Sequence, residues 1–165
     1  MKKIHKVIKV LINTLMTLIL IIGIMFIFLY FIGIEPFVVE SGSMKPTIPK
    51  YSLCFINKHT NYNKIQEKDI IAFKQKDGTL VTHRAVKVTE SGIKTKGDRN
   101  KDIDSNIVKK ENFVGKNIFW ISKVGYVVKG FQSTKGKIII ITCIVLLFVS
   151  GFLFGEDKKK SKNNK

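Results

Sequence analysis

From Val10 to Ile34 the chain carries no charged residue, and this 25-residue run limits the fold more than any other feature of the sequence. At ~1.5 Å per residue it makes a helix of roughly 37 Å, longer than the ~30 Å hydrocarbon core of a bilayer, so it can cross with tilt. A second uncharged apolar run, Ile138 to Phe154, has 17 residues, the short end of what a crossing needs. Lys2, Lys3, Lys6 and Lys9 before the first run resemble the basic start of a cleaved secretory leader. Such leaders have apolar cores of only ~7–15 residues and end in a small-x-small site. Here the run ends in Phe31-Ile32-Gly33-Ile34 and then Glu35-Pro36-Phe37, so a retained anchor is the better reading.

Charge then orients the chain. Four lysines precede the first run, and Lys158, Lys159, Lys160, Lys162 and Lys165 follow the second. Under the positive-inside rule residues 1–9 and 155–165 read as cytoplasmic flanks, residues 10–34 and 138–154 as membrane spans, and residues 35–137 as an extracytoplasmic domain. The net charge of +17 would point a soluble protein toward nucleic acid. With the apolar residues gathered at the two ends, a lipid bilayer is the expected partner and nucleic acid is not. The twenty Lys and Arg of the middle segment either meet anionic headgroups, at ~1 kcal/mol per well-placed cation, or form an ordinary solvated surface. Cys54 and Cys143 fall in different segments, and neither has a second cysteine at ligand spacing, so no disulfide or structural zinc is expected.

The middle segment reads as short strands between turn signals. Phe37-Val38-Val39, Leu53 to Asn57, Asp69 to Lys74, Thr79 to Val88, Ile93 to Lys96 and Phe113 to Ile121 are extended in character, with Asp77-Gly78 and Ser91-Gly92 as turns. No helical period shows between Glu35 and Asn112. The expected fold is mainly β, a barrel-like domain on a helical anchor. Phe119, Trp120, Tyr126 and Phe131, shortly before the second span, fit either a membrane interface or the core of the β domain.

Three stretches could carry chemistry. Ser41-Gly42-Ser43-Met44-Lys45-Pro46-Thr47 is a compact turn with two serine hydroxyls close to the first span. A serine needs a base to take its proton. The middle segment offers His59, in a polar loop where a solvated role is the simpler reading, and His83, mid-strand on one face with Val81 and Ala85. Lys96 to Ser105 then forms a Gly-containing loop with Asp98, Asp102 and Asp104, any of which could orient an imidazole. The Asp spacing weakly suggests a calcium loop, but the central glycine and final glutamate of that pattern are missing. By residue type alone, structural histidine and solvated acids remain open.

The order Ser-Gly-Ser-Met-x-Pro-Thr, Val-x-His-Arg-x-Val and Thr-Lys-Gly-Asp-x-Asn-x-x-x-Asp resembles the type I signal peptidases. With histidine rather than lysine at position 83, it is similar to the branch of the endoplasmic-reticulum and archaeal enzymes, also found in some Gram-positive bacteria. The resemblance runs from about Val38 to Gly115. It implies Ser43 as nucleophile, His83 as general base and Asp104 as the orienting acid, with Asp98 supporting the loop. Ser41 is implied as the hydroxyl that joins the Ser43 N–H in an oxyanion hole. Phe37, Val38, Val39 and Glu40 would lie along the substrate, with Val38 and residues among Ile70 to Phe73 lining pockets for small side chains. The implied activity is removal of signal peptides from exported preproteins, with no metal or organic cofactor. Two glycine-acid pairs usual in that family are replaced here by Pro49-Lys50-Tyr51 and Glu67-Lys68-Asp69, which alters turns rather than the implied triad. The rival readings are a membrane-anchored β-domain that binds exported proteins without catalysis, and a Ser-Lys peptidase using Lys87 or Lys96. Accessory subunits are not legible in the sequence.

Overall fold

The computed structural model describes residues 2–155, so Met1 and the basic tail from residue 156 onward, with the cytoplasmic flank expected there, lie outside the described residues. Helix α1 spans Lys2–Phe31. Its stretch Lys6–Phe31, with a mean hydropathy of 2.6 and no burial inside the protein, is long and apolar enough to cross a membrane. The helix stops three residues before the expected end of the span. Ile32 N–H donates to Phe28 O and Gly33 N–H to Tyr30 O, and Gly33 adopts φ +74°, the left-handed conformation that ends helices. Pro36 then disfavours helix at Glu35, and Ile34 already opens strand β1, Ile34–Val38. The His59 imidazole packs so closely on Gly33 that a Cβ there would lie 2.7 Å from the ring.

Contacts divide the chain into two compact units, Phe28–Lys129 and the flanking terminal segments. The first is built on one antiparallel sheet of six strands in the order β1-β2-β6-β3-β4-β5. The remaining strands are β2 (Leu53–Asn57), β3 (Ile70–Lys74), β4 (Leu80–Thr89), β5 (Gly92–Lys96) and β6 (Phe113–Ile121). The β3–β4 hairpin turns at Asp77-Gly78, where the Thr79 N–H donates to the Asp77 carboxylate at 2.9 Å. Register shifts at Phe55/Ile56, Ala72/Phe73 and Ala85/Lys87 mark bulges, which add twist.

The sheet does not close, which corrects the expected barrel. β1 pairs with β2 but not with β5, and the outer side of β5 is met by a loop, through an Ile93–Val108 bridge. A barrel needs its first and last strands joined, and here the 104–108 segment occupies the place where that pairing would form.

Two apolar clusters hold the unit together. Met44 and Ile48, from the serine turn, pack with Cys54, Ile56, Ile70 and Ala72. Ile65, Ile71, Phe73, Ala85, Ile93 and Val108 form the other. Burying Met44 and Ile48 completely is worth ~1.5–3 kcal/mol each, so the turn is anchored by the core rather than by its polar residues. Burial pushes the Cys54 thiol up to about 12, so at neutral pH it behaves as a small apolar side chain. Asn117 is the exception: it is buried, yet neither side-chain polar atom finds a partner among the described residues.

Helix α2, Val124–Gln132, was not expected from the sequence, although Val124, Val127, Val128 and Phe131 recur at helical spacing. The aromatic residues of this region separate: Trp120 packs against the Met44 cluster, whereas Phe119, Tyr126 and Phe131 stay about half exposed. In the terminal unit, α3 spans Thr134–Gly155, with Ser133 accepting the Gly136 N–H at 3.1 Å as its cap. It starts four residues before the apolar run that predicted it.

Candidate active site

The serine turn is shaped by what it buries. Met44 and Ile48 point into the core, Lys45 N–H donates to Gly42 O, and Ile48 N–H donates to Met44 O at 2.8 Å. Ser43, next to Met44, is left partly exposed above them. From the other side, Gly97 lies directly after β5, and a Cβ there would stand 2.8 Å from Ser43 O and 3.0 Å from Ser43 Cβ. Arg99 N–H donates to the same carbonyl at 2.8 Å. The acidic loop therefore buttresses the backbone of Ser43, and only glycine at position 97 allows that approach.

Strand β4 supplies the imidazole. His83 is buried, opposite Ile71 in β3, with the Phe73 ring edge-on at 6.2 Å. Its Nε2 lies 3.0 Å from Ser43 Oγ, and its Nδ1 lies 2.6 Å from Asp104 Oδ2. A carboxylate only accepts, so Nδ1 carries the proton, Nε2 offers its lone pair, and the Ser43 hydroxyl donates to it. Ser41 Oγ, 3.0 Å from Ser43 Oγ, is then free to donate to the same oxygen. The Ser43 N–H donates to no group among the described residues, which leaves it available to a ligand.

The two loop acids have separate surroundings. Asp98 takes a bidentate pair from Arg84, Nε to Oδ1 at 2.8 Å and Nη2 to Oδ2 at 2.7 Å. The Arg84 guanidinium, helped by the Thr47 hydroxyl and opposed by burial, holds the Asp98 carboxyl below the usual carboxylate range. The same bond raises Arg84 further above its ordinary value. Arg84 follows His83 in the strand and so points to the opposite side, carrying Asp98 with it. Asp104 Oδ2 accepts a second bond, from the buried Thr95 hydroxyl at 2.6 Å. Asp102 is exposed. The calcium-type spacing does not converge on an ion: among the described residues no group of three His, Cys, Asp or Glu could hold one.

A cleft of about 540 Å³ opens beside Ser43. It is lined by Phe37 to Ser41 and Ser43, by Thr79 and Leu80 to His83 of β4, and by Gln75 and Asn100. Ile70 to Phe73, expected in its walls, are not there; they are buried in the two core clusters. The β4 residues that replace them carried no signal of their own, since Leu80 to Thr82 read simply as strand. Glu40, two residues beyond β1, is tied to α2 by Lys129 Nζ at 2.8 Å. His59 is exposed and outside the cleft. Lys96 donates to Lys101 O and Lys87 is exposed, so neither lysine bonds Ser43. Thr95 and Arg84 stood inside the recognisable sequence boxes, but no rule of spacing assigned them partners.

The family model for signal peptidase, peptidase S26, matches residues 11–114. Signal peptidase I W of Bacillus subtilis (strain 168) is 42% identical over 78 residues, which is 45% of this chain and 41% of that protein. The aligned part thus spans about two fifths of the relative's length. The family match runs from within α1 to the start of β6, takes in well over half of the sequence, and includes the whole Ser43–His83–Asp104 relay: this chain belongs to the signal peptidase family, peptidase S26.

Proposed function

We propose that this chain is a membrane-bound serine endopeptidase that removes N-terminal signal peptides from preproteins after small-x-small sites. The observation that carries the reading is the unbroken relay Asp104–His83–Ser43, with contacts of 2.6 and 3.0 Å, at the edge of an extended cleft. A substrate strand in that cleft would pair with the backbone of Phe37 to Glu40, with β4 on its other side.

The chemistry follows from the protonation pattern. His83 Nε2 takes the Ser43 proton as Oγ bonds the scissile carbonyl carbon. The oxygen that becomes negative is met by the Ser43 N–H and by the Ser41 hydroxyl, which leaves its bond to Ser43 Oγ; losing one such donor costs ~2.7–4 kcal/mol. The C–N bond breaks as His83 gives its proton to the departing amine, leaving an ester on Ser43. Water then attacks, its proton passes to His83, and Ser43 regains a proton as the acid leaves. Asp104 keeps the proton on Nδ1 and stabilises the imidazolium. No step calls for a cofactor.

Signal peptides are apolar helices whose cut site lies at the bilayer surface. Ser43 follows the end of α1 by 12 residues, a tether that keeps it near that surface and lowers the entropic cost of encounter. We place α1 and α3 across the membrane, both flanks in the cytoplasm and the Phe28–Lys129 unit outside, on the charge asymmetry of the flanks.

The test follows cleavage of a preprotein by the full chain in detergent. Ser43→Ala and His83→Ala lose at least ~10³-fold in kcat, and Asp104→Asn on the order of 10⁴-fold. Full activity in Ser43→Ala sinks the proposal. Activity retained in His83→Ala, or gained in His83→Lys, favours a lysine dyad. A wild type inert toward every small-x-small preprotein favours the non-catalytic scaffold.

A further inference from the structure

We infer that Thr95 is a positioning residue for this reaction, holding the Asp104 carboxylate against His83; the inference rests on the peptidase reading above. Asp104 sits on a loop, its side chain is 22% exposed, and it also lines a separate cleft of about 270 Å³ with Phe73, Ile107 and Lys109. A carboxylate so placed can turn toward water and leave the imidazole without its partner. Three bonds oppose that turn, and Thr95 makes two of them. Its carbonyl accepts the Asp104 N–H at 2.8 Å, and its hydroxyl donates to Oδ2 at 2.6 Å, the same oxygen that accepts His83 Nδ1–H.

Thr95 is suited to this by its own confinement. It is fully buried in β5, opposite Ala85, two residues along β4 from His83. Its branched Cβ restricts χ1, so the hydroxyl is aimed before Asp104 arrives. The strand pairing thus fixes the distance between the imidazole and the hydroxyl, and Oδ2 is caught between two donors set by the sheet. An acid on a loop thereby acquires the fixed position that preorganised catalysis requires.

The experiment compares full-length wild type with Thr95→Val, Thr95→Ser and Asp104→Asn in detergent, measuring kcat, KM and Tm on one preprotein. Thr95→Val keeps the shape and loses the donor; kcat falls about tenfold while KM stays within twofold, since the cleft is untouched. Thr95→Ser keeps the donor and retains kcat within about threefold. Should Thr95→Val not fold, Thr95→Ala against Thr95→Ser makes the same comparison. A folded Thr95→Val with wild-type kcat, or a Thr95→Ser as impaired as Thr95→Val, overturns the inference. If Asp104→Asn loses activity and Thr95→Val does not, only the positioning role fails. If Asp104→Asn is itself fully active, the triad reading fails first.

Discussion

Replacing Gly97 by alanine probes how closely the acidic loop must approach Ser43, the proposed nucleophile. The new Cβ would lie 2.8 Å from Ser43 O, about 0.6 Å short of ordinary contact, and 2.9 Å from Asn100 Nδ2. The amide of Asn100 can rotate away. The Ser43 carbonyl cannot swing aside by itself, because it accepts the Arg99 N–H and the adjacent Met44 is fully buried, so any adjustment must carry the backbone with it. The strain is therefore met by moving the serine backbone relative to β4, which stretches the 3.0 Å Ser43–His83 contact to roughly 3.5 Å, beyond a useful hydrogen bond. Misplacement by 1 Å can cost ~10²-fold, so a shift of half that size should lower kcat by roughly tenfold, or about 1.4 kcal/mol of barrier. Overpacking should also cost about 1–3 kcal/mol of stability. Saturating cleavage of a preprotein measures the first, and thermal unfolding in the same detergent the second. A folded Gly97→Ala with kcat within twofold of wild type would refute the argument. So would full rescue by adding Asn100→Ala, since that would trace the strain to the amide instead of Ser43.

Two further outcomes concern stability. Because Arg84 holds the Asp98 carboxyl low, the pair stabilises the fold above the unfolded aspartate value near ~4, and that contribution is lost as pH falls through the lower folded value. Asp98→Asn should cost about 2 kcal/mol at pH 7, and the Tm gap to wild type should narrow below about pH 4; a gap independent of pH contradicts the pairing. Asn117→Leu repeats the branching of the side chain without its unpartnered polar atoms and should raise stability by about 1–2 kcal/mol in thermal unfolding, whereas a lower Tm would mean that the amide is satisfied in solution.

The strands were legible because each apolar run is short and bounded by turn residues, and β2, β3, β5 and β6 lie within a residue of where the pattern put them. Closure was not, since period-two alternation describes a barrel and an open sheet equally well; only the loop beside β5 distinguishes them. Helix α2 is hard to see in the sequence because its apolar positions stand among two glycines and one lysine in nine residues, too few for the period to stand out. At the candidate site, motif order and the resemblance single out Ser43 and His83, and the structure brings the two side chains together. By residue type Asp98 and Asp104 are equal candidates on one loop, and the family resemblance favours Asp104; the structure pairs Asp104 with His83 and Asp98 with Arg84. Thr95 lay beyond reach because its partner is set by cross-strand geometry, not by spacing along the chain.

The loop that presents Asp104 also runs along the outer side of β5, where Ile93 and Val108 exchange both backbone bonds at 2.9 and 3.0 Å. Unpaired strand backbone recruits other chains and seeds aggregation. Peeling this loop away would separate the acid from His83 and, in the same motion, expose a row of amides to neighbouring molecules. Substitutions that loosen residues 104–108 should thus yield protein that is inactive and self-associating together, with loss of activity and appearance of higher oligomers following one another across a mutant series.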